Sequence, residues 1–575
     1  MASSRIMENR NYAPPVAEHT RVSGDTAGTL AVRASPSPLA GYAVSEVVRA
    51  SVLAGVLAPA LVVLGPAGGD APAHLFRSLL VQDGALLWNN LWYGGHYPFS
   101  SYSLLYYFPA YVFGNIPVVL VGVVASAGLF ASLARREWGD DARWPSRAFA
   151  TAACAPVFTG TYSYALALAA LLGTLRALQS RRVWLAIGAA GLTVGFSPLA
   201  FVFLILALFA VALTRRRLDR PTFLVAGGLA VAGGVQLLAV SLFPDNGVYP
   251  FRIFELLVVL VVGGLGSMLA FRSPRGRTVG AFLALWTGAS VLAFLVASPV
   301  GENVTRLRGV VFPLVLLAAI LVRFRPRILA VTALGLALAY MLVPYVAVIP
   351  YRTDGRSADE TFWDPALGYL RTNSGADFRV EVVPTGDHWE AYWVPESGLA
   401  LARGWYRQID IKENGLFYRA PLEAADYRAW LRRMGVRYVL LPATQLGRMG
   451  EEREADLLRS GRSGLRPVFQ SATGTVYELP QAVGMLSGPG PASLSTFESD
   501  SLAGRVGESG VYRLAVRFMP YWRVRAGDIC VSRAADGLTL LHASRPGSFV
   551  LETDERPLEL LRGLVDGDSG VCPDG

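Results

Sequence analysis

A chain of 575 residues that is 53% hydrophobic and only 17% charged, with a mean hydropathy of +0.39, has too little charge to clothe an ordinary soluble enzyme. The net charge of +9 would suit a nucleic-acid partner, but much of the arginine excess lies in short loops between apolar runs, where it marks the cytoplasmic side of a membrane protein; no nucleic acid is expected. Cys154, Cys530 and Cys572 are too few and too irregularly spaced for a zinc site.

Residues 1–47 are rich in Pro, Ser and Ala with scattered Arg5, Arg10, Arg21 and Arg33, a composition that cannot bury a core and predicts a disordered tail. A polar leader this long before the first apolar run, near 48–66, reads as the approach to an uncleaved anchor, with the N-terminus cytoplasmic and the chain in the plasma membrane. Apolar segments of membrane-crossing size recur to about residue 350. Arginines cluster between them: Arg135, Arg136, Arg143 and Arg147; Arg181 and Arg182; Arg215, Arg216 and Arg217; Arg272, Arg275 and Arg277; Arg323, Arg325 and Arg327. All of these are assigned to the cytoplasm.

The stretches 147–178 and 183–214 each begin and end at such a cluster, so each is a hairpin, turning at Thr159-Gly160-Thr161 and at Gly195-Phe196-Ser197-Pro198. A 12-residue leg reaches about 18 Å against a hydrocarbon core of about 30 Å. The turns are therefore expected below the outer surface, in a protein-lined or wet cavity. With further spans near 222–243, 254–271, 278–298, 309–322 and 327–349, the reading is a polytopic α-helical membrane protein of about eleven transmembrane helices. Its transmembrane domain covers 48–350, with a first outer loop at 67–103, and the chain then emerges outside.

Residues 351–482 read as an extracytoplasmic α/β domain: Phe378–Val383 alternates as a strand, 422–433 has helical period, and Val436–Leu441 is a buried strand. Residues 483–575, with short strands such as Val511–Phe518 and Phe549–Glu552, read as a β-sandwich-like domain. Cys530 and Cys572 share it, and pair or stay apart according to the compartment.

The first outer loop holds the candidate chemistry. If a helix starts near Ala71, then Asp70, His74 and Arg77 fall at i, i+4 and i+7 on one face, so that a carboxylate, an imidazole and a guanidinium can meet one substrate. Asp70 equally suits a helix N-cap with Pro72 in the first turn, and His74 a structural hydrogen-bonder. The aromatic run of Trp88, Trp92, Tyr93, Tyr97, Tyr102, Tyr106 and Tyr107, with His96 among them, reads as an interfacial belt or as a sugar-stacking platform. Arg252, Arg306 and Arg308 break the inside-positive pattern; each either binds an anion or snorkels to the interface. Glu302 is a weaker acid candidate, as is Asp245, and Glu255 pairs with Arg252 or lies near the site. The motifs Gly386–Trp393 and Arg403–Gln408 read first as packing between the outer domain and the membrane unit, with acceptor binding as the second reading. No phosphate-binding loop, dinucleotide fingerprint or hydrolase elbow is present, so a soluble nucleotide-sugar donor is not indicated.

Asp70 after the first span, the Trp88-x-x-x-Trp92-x-Gly94-Gly95 loop, about eleven spans and an outer C-terminal domain together resemble GT-C-fold glycosyltransferases. More narrowly, Tyr427, Trp430-Leu431, Gly435-Val436-Arg437-Tyr438-Val439 and a late Trp522 resemble bacterial YfhO-type membrane proteins. The resemblance implies transfer of a sugar from a polyprenyl-phosphate carrier to an envelope glycan or lipid acceptor on the outer face, with Asp70 as general base and His74 beside it. It implies substrate contacts from Arg77, Trp88, Trp92, His96, Tyr97, Arg252, Glu302, Arg306 and Arg308. Relatives often carry paired acids, whereas Ala71 follows Asp70; a divalent cation is left open and no metal ligand is assigned. The alternatives are a transporter or flippase of lipid-linked sugars and a non-catalytic envelope assembly protein. The scarcity of polar residues within the spans, Gln236 being one of few, tells against transport.

Overall fold

The structure is a computed structural model that describes residues 38–65, 68–98, 103–214, 220–244, 247–347, 355–447, 449–553 and 571–572. Residues 1–37 of the predicted 1–47 tail, Tyr102, the Arg215–Arg217 cluster and Asp245 lie outside the described residues, while 38–47, expected to be disordered, belong to the helix Pro38–Leu64 that continues into the first span.

Seven described helices are long and apolar enough to cross a membrane: Ser45–Leu64, the run within Asn115–Thr159, Thr222–Leu242, Ile253–Phe271, Pro274–Leu295, Gly301–Leu321 and Arg327–Ala347. Each is a run of Leu, Val, Ala and Gly that satisfies its own backbone polar groups, as hydrocarbon requires. Shorter apolar helices, Val183–Phe196 and Pro198–Thr214, stand beside them with Tyr162–Gln179. Small residues set the packing distances. Ala50, Ala54 and Ala58 recur every four residues and are fully buried, and a Cβ on Gly122 would approach the Leu166 nitrogen to 2.9 Å.

The two hairpin turns fall where the arginine spacing puts them. Gly160, with φ +74°, ends the helix Ala155–Thr159, and extended Ser197 separates Phe196 from Pro198, which opens the next helix. Both turns dock on the segment after the first span: Asp70 N donates to Thr159 O (3.0 Å), and Leu104 N and Leu105 N donate to Gly195 O (2.9 and 2.8 Å). Short legs are tolerated because carbonyls left over at the turns meet protein donors, not lipid. At the other end the basic loops brace one another. Arg275 pairs with Asp141 (2.7 Å), the Trp138 indole donates to Arg275 O (2.9 Å), and Arg147 holds the buried Glu46 (2.8 Å). The helical unit thus has a loop-rich side and a basic side.

The C-terminal part adds three sheets. In the first, β1 (Arg379–Val382) runs parallel to β2 (Val436–Pro442), with β4 (Gly474–Glu478) and β3 (Arg466–Ser471) antiparallel beyond, in the order β1-β2-β4-β3. The other two contain β5 (Leu486–Ser487), β6 (Ala492–Phe497), β7 (Ser501–Val506), β8 (Gly510–Arg517), β9 (Trp522–Ala526), β10 (Ile529–Arg533), β11 (Leu538–Ala543) and β12 (Gly547–Thr553). Their orders are β10-β11-β8-β5 and β6-β7-β12-β9. Leu502, Val506, Phe549 and Leu551 of one share a core with Leu514, Val516, Val531 and Leu541 of the other, the alternate-residue packing of a sandwich. Cys530 and Cys572 form a disulfide, and Cys154 is a buried thiol.

The aromatic loop is neither a belt nor an open platform: it is the seam between the helical unit and the C-terminal sheets. Trp88 and Tyr97 belong to the sandwich core, Asn90 N donates to Ser499 O (2.7 Å), Arg517 N to Gly94 O (2.6 Å), and Leu401 N to Leu91 O (2.8 Å).

Gly160 is a tight point of the first turn's docking, since a Cβ there would stand 2.4 Å from the Ala71 nitrogen and the left-handed backbone itself resists a branched side chain. Gly160→Val should lower the thermal midpoint of detergent-purified protein, with backbone strain alone costing about 1–3 kcal/mol. Gly188→Ala, where a Cβ meets nothing within 4 Å, should leave that midpoint unchanged or higher.

Candidate functional site

The helix Ala71–Asp83 starts where the sequence indicates, with Asp70 at its N-terminus and a proline in its first turn. Asp70 does not cap it. Its side chain makes no capping hydrogen bond, and Oδ2 instead accepts from Arg306 Nη2 at 3.0 Å. Arg306 comes from the short 3-10 helix Gly301–Leu307, which leads into the helix from Arg308. The peptide carrying Asp70 is gripped from a third direction, where the Trp405 indole donates to Gly69 O at 2.9 Å.

Two cavities meet at this pair. One, of about 390 Å³, is walled by Asp70, Arg252, Arg306 and Arg308 together with apolar Leu168, Val310, Met341 and Pro344. The other, of about 430 Å³, has Tyr249, Asn303, His388, Trp405 and Arg407 around the same Asp70 and Arg306. Tyr164 lines both, and its buried hydroxyl has no hydrogen-bond partner among the described residues. Arg308 is oriented by Thr305, through Oγ1 at 2.6 Å and the carbonyl at 3.1 Å, and lies over the Tyr340 ring. Arg252 forks onto Glu302 at 3.0 and 2.7 Å, with Glu255 at 3.5 Å. Its guanidinium is mostly exposed, so this pair fixes direction more than it stabilises.

The i, i+4, i+7 face does not converge on one cavity. His74 is fully buried, bonded to the Tyr107 hydroxyl (3.1 Å) and stacked on Tyr162, and burial first, then Arg77 and Arg306, push its imidazole well below its ordinary range. Arg77 lies over Tyr107 and donates to the Tyr406 hydroxyl (3.2 Å). Trp92 stacks between Phe76 and His96, with its indole on Ala391 O (3.0 Å). His96 bonds Asn89 (3.1 Å) and is likewise held neutral, chiefly by burial. Trp88 bonds Asn90 (2.7 Å), and Tyr97 packs on Phe243 and Tyr521. These residues build the seam; Asp70, Arg252, Arg306 and Arg308 build the cavity, with Glu302 just behind Arg252.

Sequence reasoning left out Tyr164, and it held Asp387, His388 and Arg407 only as members of motifs read first as packing. Asp387 reaches the first cavity, bonded by Ser357 (2.9 Å) and Thr385 (3.0 Å), with burial pushing its carboxyl up. Gly386-Asp387-His388 and Arg403–Gln408 were legible only as dense polar and aromatic clusters, and they do pack domain against helices, yet they also roof the cavities. Among the described residues no three His, Cys, Asp or Glu side chains gather to hold a metal ion. The acids near the pair already face donors: Asp70 faces Arg306, Glu302 and Glu255 face Arg252, and Asp387 faces two hydroxyls. The residues therefore do not fit a divalent cation, and no step is assigned to one.

Compared with known proteins, the chain matches no family model and no curated protein.

The roof is anchored from beneath by a buried charge cluster. Arg403 sits among Glu381 (3.3 Å), Glu454 (3.6 Å) and Asp410 (3.8 Å), and Tyr427 donates to Glu454 (2.8 Å). Burial outweighs Arg403 and raises the Glu454 carboxyl to about 7. Because this exceeds the unfolded value near 4.3, stability present below that pH is lost as pH rises through 7, by about 3–4 kcal/mol for the fully ionised group. Glu454→Gln, which keeps an acceptor for Tyr427, should melt higher than the parent at pH 8, and that difference should shrink to about a third by pH 5 and vanish only below the unfolded value. An equal difference at both pH values would remove titration as its cause.

Proposed function

We propose that the protein is a membrane glycosyltransferase that moves a sugar from a polyprenyl-phosphate donor to an acceptor hydroxyl. The observation that carries this is the Asp70–Arg306 pair at the junction of two cavities, with three arginines and apolar walls on one side. A lipid phosphate needs its tail in hydrocarbon and its anion among donors, and Arg252, Arg306 and Arg308 beside Leu168, Val310 and Met341 offer both. The phosphate competes with Asp70 for Arg306, so donor binding frees the carboxylate. The acceptor oxygen then attacks the anomeric carbon, its proton passes to Asp70, and the carbon–oxygen bond to phosphate breaks with its electron pair on the leaving phosphate, facing the arginines.

Asp70→Asn in purified protein should cut transfer from a polyprenyl-phosphate sugar by about 10²–10⁴, the usual worth of a general base, with thermal midpoint unchanged. Full activity in that variant would sink the assignment. Lipid-linked sugar crossing vesicles without any transfer would point to a flippase instead.

In the same reading the loop-rich side and the C-terminal domains face outward. Supporting it are the arginine clusters gathered on the opposite side and the Cys530–Cys572 disulfide, which suits an oxidising compartment. Counting the four hairpin legs singly gives the eleven spans of the sequence reading. Cysteines introduced at Asn303 and at Arg181 and Arg275 test this in intact cells with an impermeant maleimide. Labelling is expected at position 303 alone until the cells are lysed, and the reverse pattern would invert the protein.

A further inference from the structure

The roof of the second cavity carries an acid–base pair that the transfer step leaves unused. His388 lies on the wall of that cavity, its side chain 17% exposed, and its Nδ1 meets the Glu390 carboxylate at 3.1 Å. Glu390 is buried, and its other oxygen accepts from Thr385 N (3.2 Å) and Thr385 Oγ1 (2.6 Å). A carboxylate only accepts, so the hydrogen of the neutral imidazole sits on Nδ1. The lone pair is left on Nε2, which has no hydrogen-bond partner among the described residues. The backbone at His388 is left-handed, with φ +59°, a conformation that glycine takes more easily, yet a ring stands there. Around that ring are Asp387 on the same loop, Asp70 and Arg306 from the helical unit, Tyr249 from the loop before Ile253, and Tyr406 and Arg407 from the neighbouring part of the roof.

We propose that the Glu390–His388 dyad is a proton relay, taking from Asp70 the proton that Asp70 has drawn from the acceptor hydroxyl; this rests on the glycosyltransferase reading. In each turnover Asp70 must lose that proton before its ion pair with Arg306 can re-form. The leaving phosphate is a poor destination, because Arg252, Arg306 and Arg308 favour its more highly charged form. On the second cavity, tyrosine and arginine side chains keep their own protons at neutral pH. Among the described residues lining it, His388 is therefore the one besides Asp70 that can take another. The cavity of about 430 Å³ has room for about a dozen waters at about 30 Å³ each, enough for a short chain between the two. The Asp70 O–H bond breaks with its electron pair left on the carboxylate, and a proton arrives at Nε2. The imidazolium is stabilised by Glu390 until it gives the proton to bulk water, which returns the dyad to its starting state.

Two variants of the purified full-length chain test this. In His388→Gly, whose backbone suits the left-handed φ, kcat at saturating donor and acceptor should fall about ten- to a hundredfold, the lower end of what acid–base groups contribute, because water partly replaces a relay. Added imidazole should restore most of the loss. A kcat equal to the parent's, or a loss that imidazole leaves untouched, would overturn the relay. Glu390→Gln keeps the ring and the size of its partner but removes the negative charge beside the imidazolium. There kcat should fall and its ratio in H2O over D2O should rise above the parent's, since the proton step then limits turnover. Both quantities unchanged in Glu390→Gln would sink the proposal even if the glycine variant does not fold. Failure of the enzyme reading looks different: a parent that transfers no sugar from a polyprenyl-phosphate donor, or full activity in Asp70→Asn, removes the reaction and the relay with it. Transfer intact in the parent and in both dyad variants removes the relay alone.

Discussion

Three residues, Gly68 to Asp70, carry the constraint from which the rest of the site follows. Their backbone is pressed against the first hairpin turn so closely that a Cβ on Gly68 would meet the Gly160 nitrogen at 2.2 Å. From there Asp70 N reaches Thr159, Gly69 O receives Trp405, and the Asp70 carboxylate receives Arg306. A hairpin, a distant loop and the α/β segment thus converge on one peptide. Two glycines meeting back to back make the approach possible, and a carboxylate is left pointing into a cavity instead of capping its own helix.

The aromatic seam makes that convergence rigid. Trp88 and Trp92 are large, fully buried rings whose indole nitrogens are satisfied by Asn90 and by Ala391 O, so each combines apolar contact with a directional bond. With their faces covered by Phe76, His96, Tyr97 and Trp522, no ring surface remains for a sugar to stack on. His74 and His96, neutral within the same packing, are built as hydrogen-bonding spacers.

Much of this was legible from residues alone. Arginine clusters separated by about thirty residues pointed to hairpins; Gly160 marked one turn because its left-handed backbone favours glycine, and Pro198 the other because proline suits a helix start and not a helix interior. The helix start at Ala71, the Val436 strand and the alternating strands of the sandwich rest on equally local rules. What periodicity cannot reveal is which surface later receives another domain. His74 and Arg77 share a face with Asp70 on paper, but Tyr162, Tyr107 and Tyr406 arrive from elsewhere in the chain and claim them. Likewise, a Trp just beyond a span end has the signature of an interfacial anchor whether lipid or a β-sandwich covers it. Asp387 and Arg407 were hidden for the converse reason: a cluster rich in aromatics looks like packing, and here one segment both packs and lines a cavity.

The Trp405 bond to Gly69 has a consequence for how the protein is made. It joins residues 336 positions apart, and the Arg306–Asp70 pair joins residues 236 apart, so the contacts that shape the site are among the most non-local in the chain. A ribosome delivers the first hairpin and its partner loop long before either clamp exists. The half-built bundle must therefore wait, with Asp70 unclamped and the seam aromatics uncovered, until the α/β unit has folded and docked. That interval is the period in the protein's life when exposed indoles and an unroofed cavity leave it most open to misassembly or to capture by folding helpers.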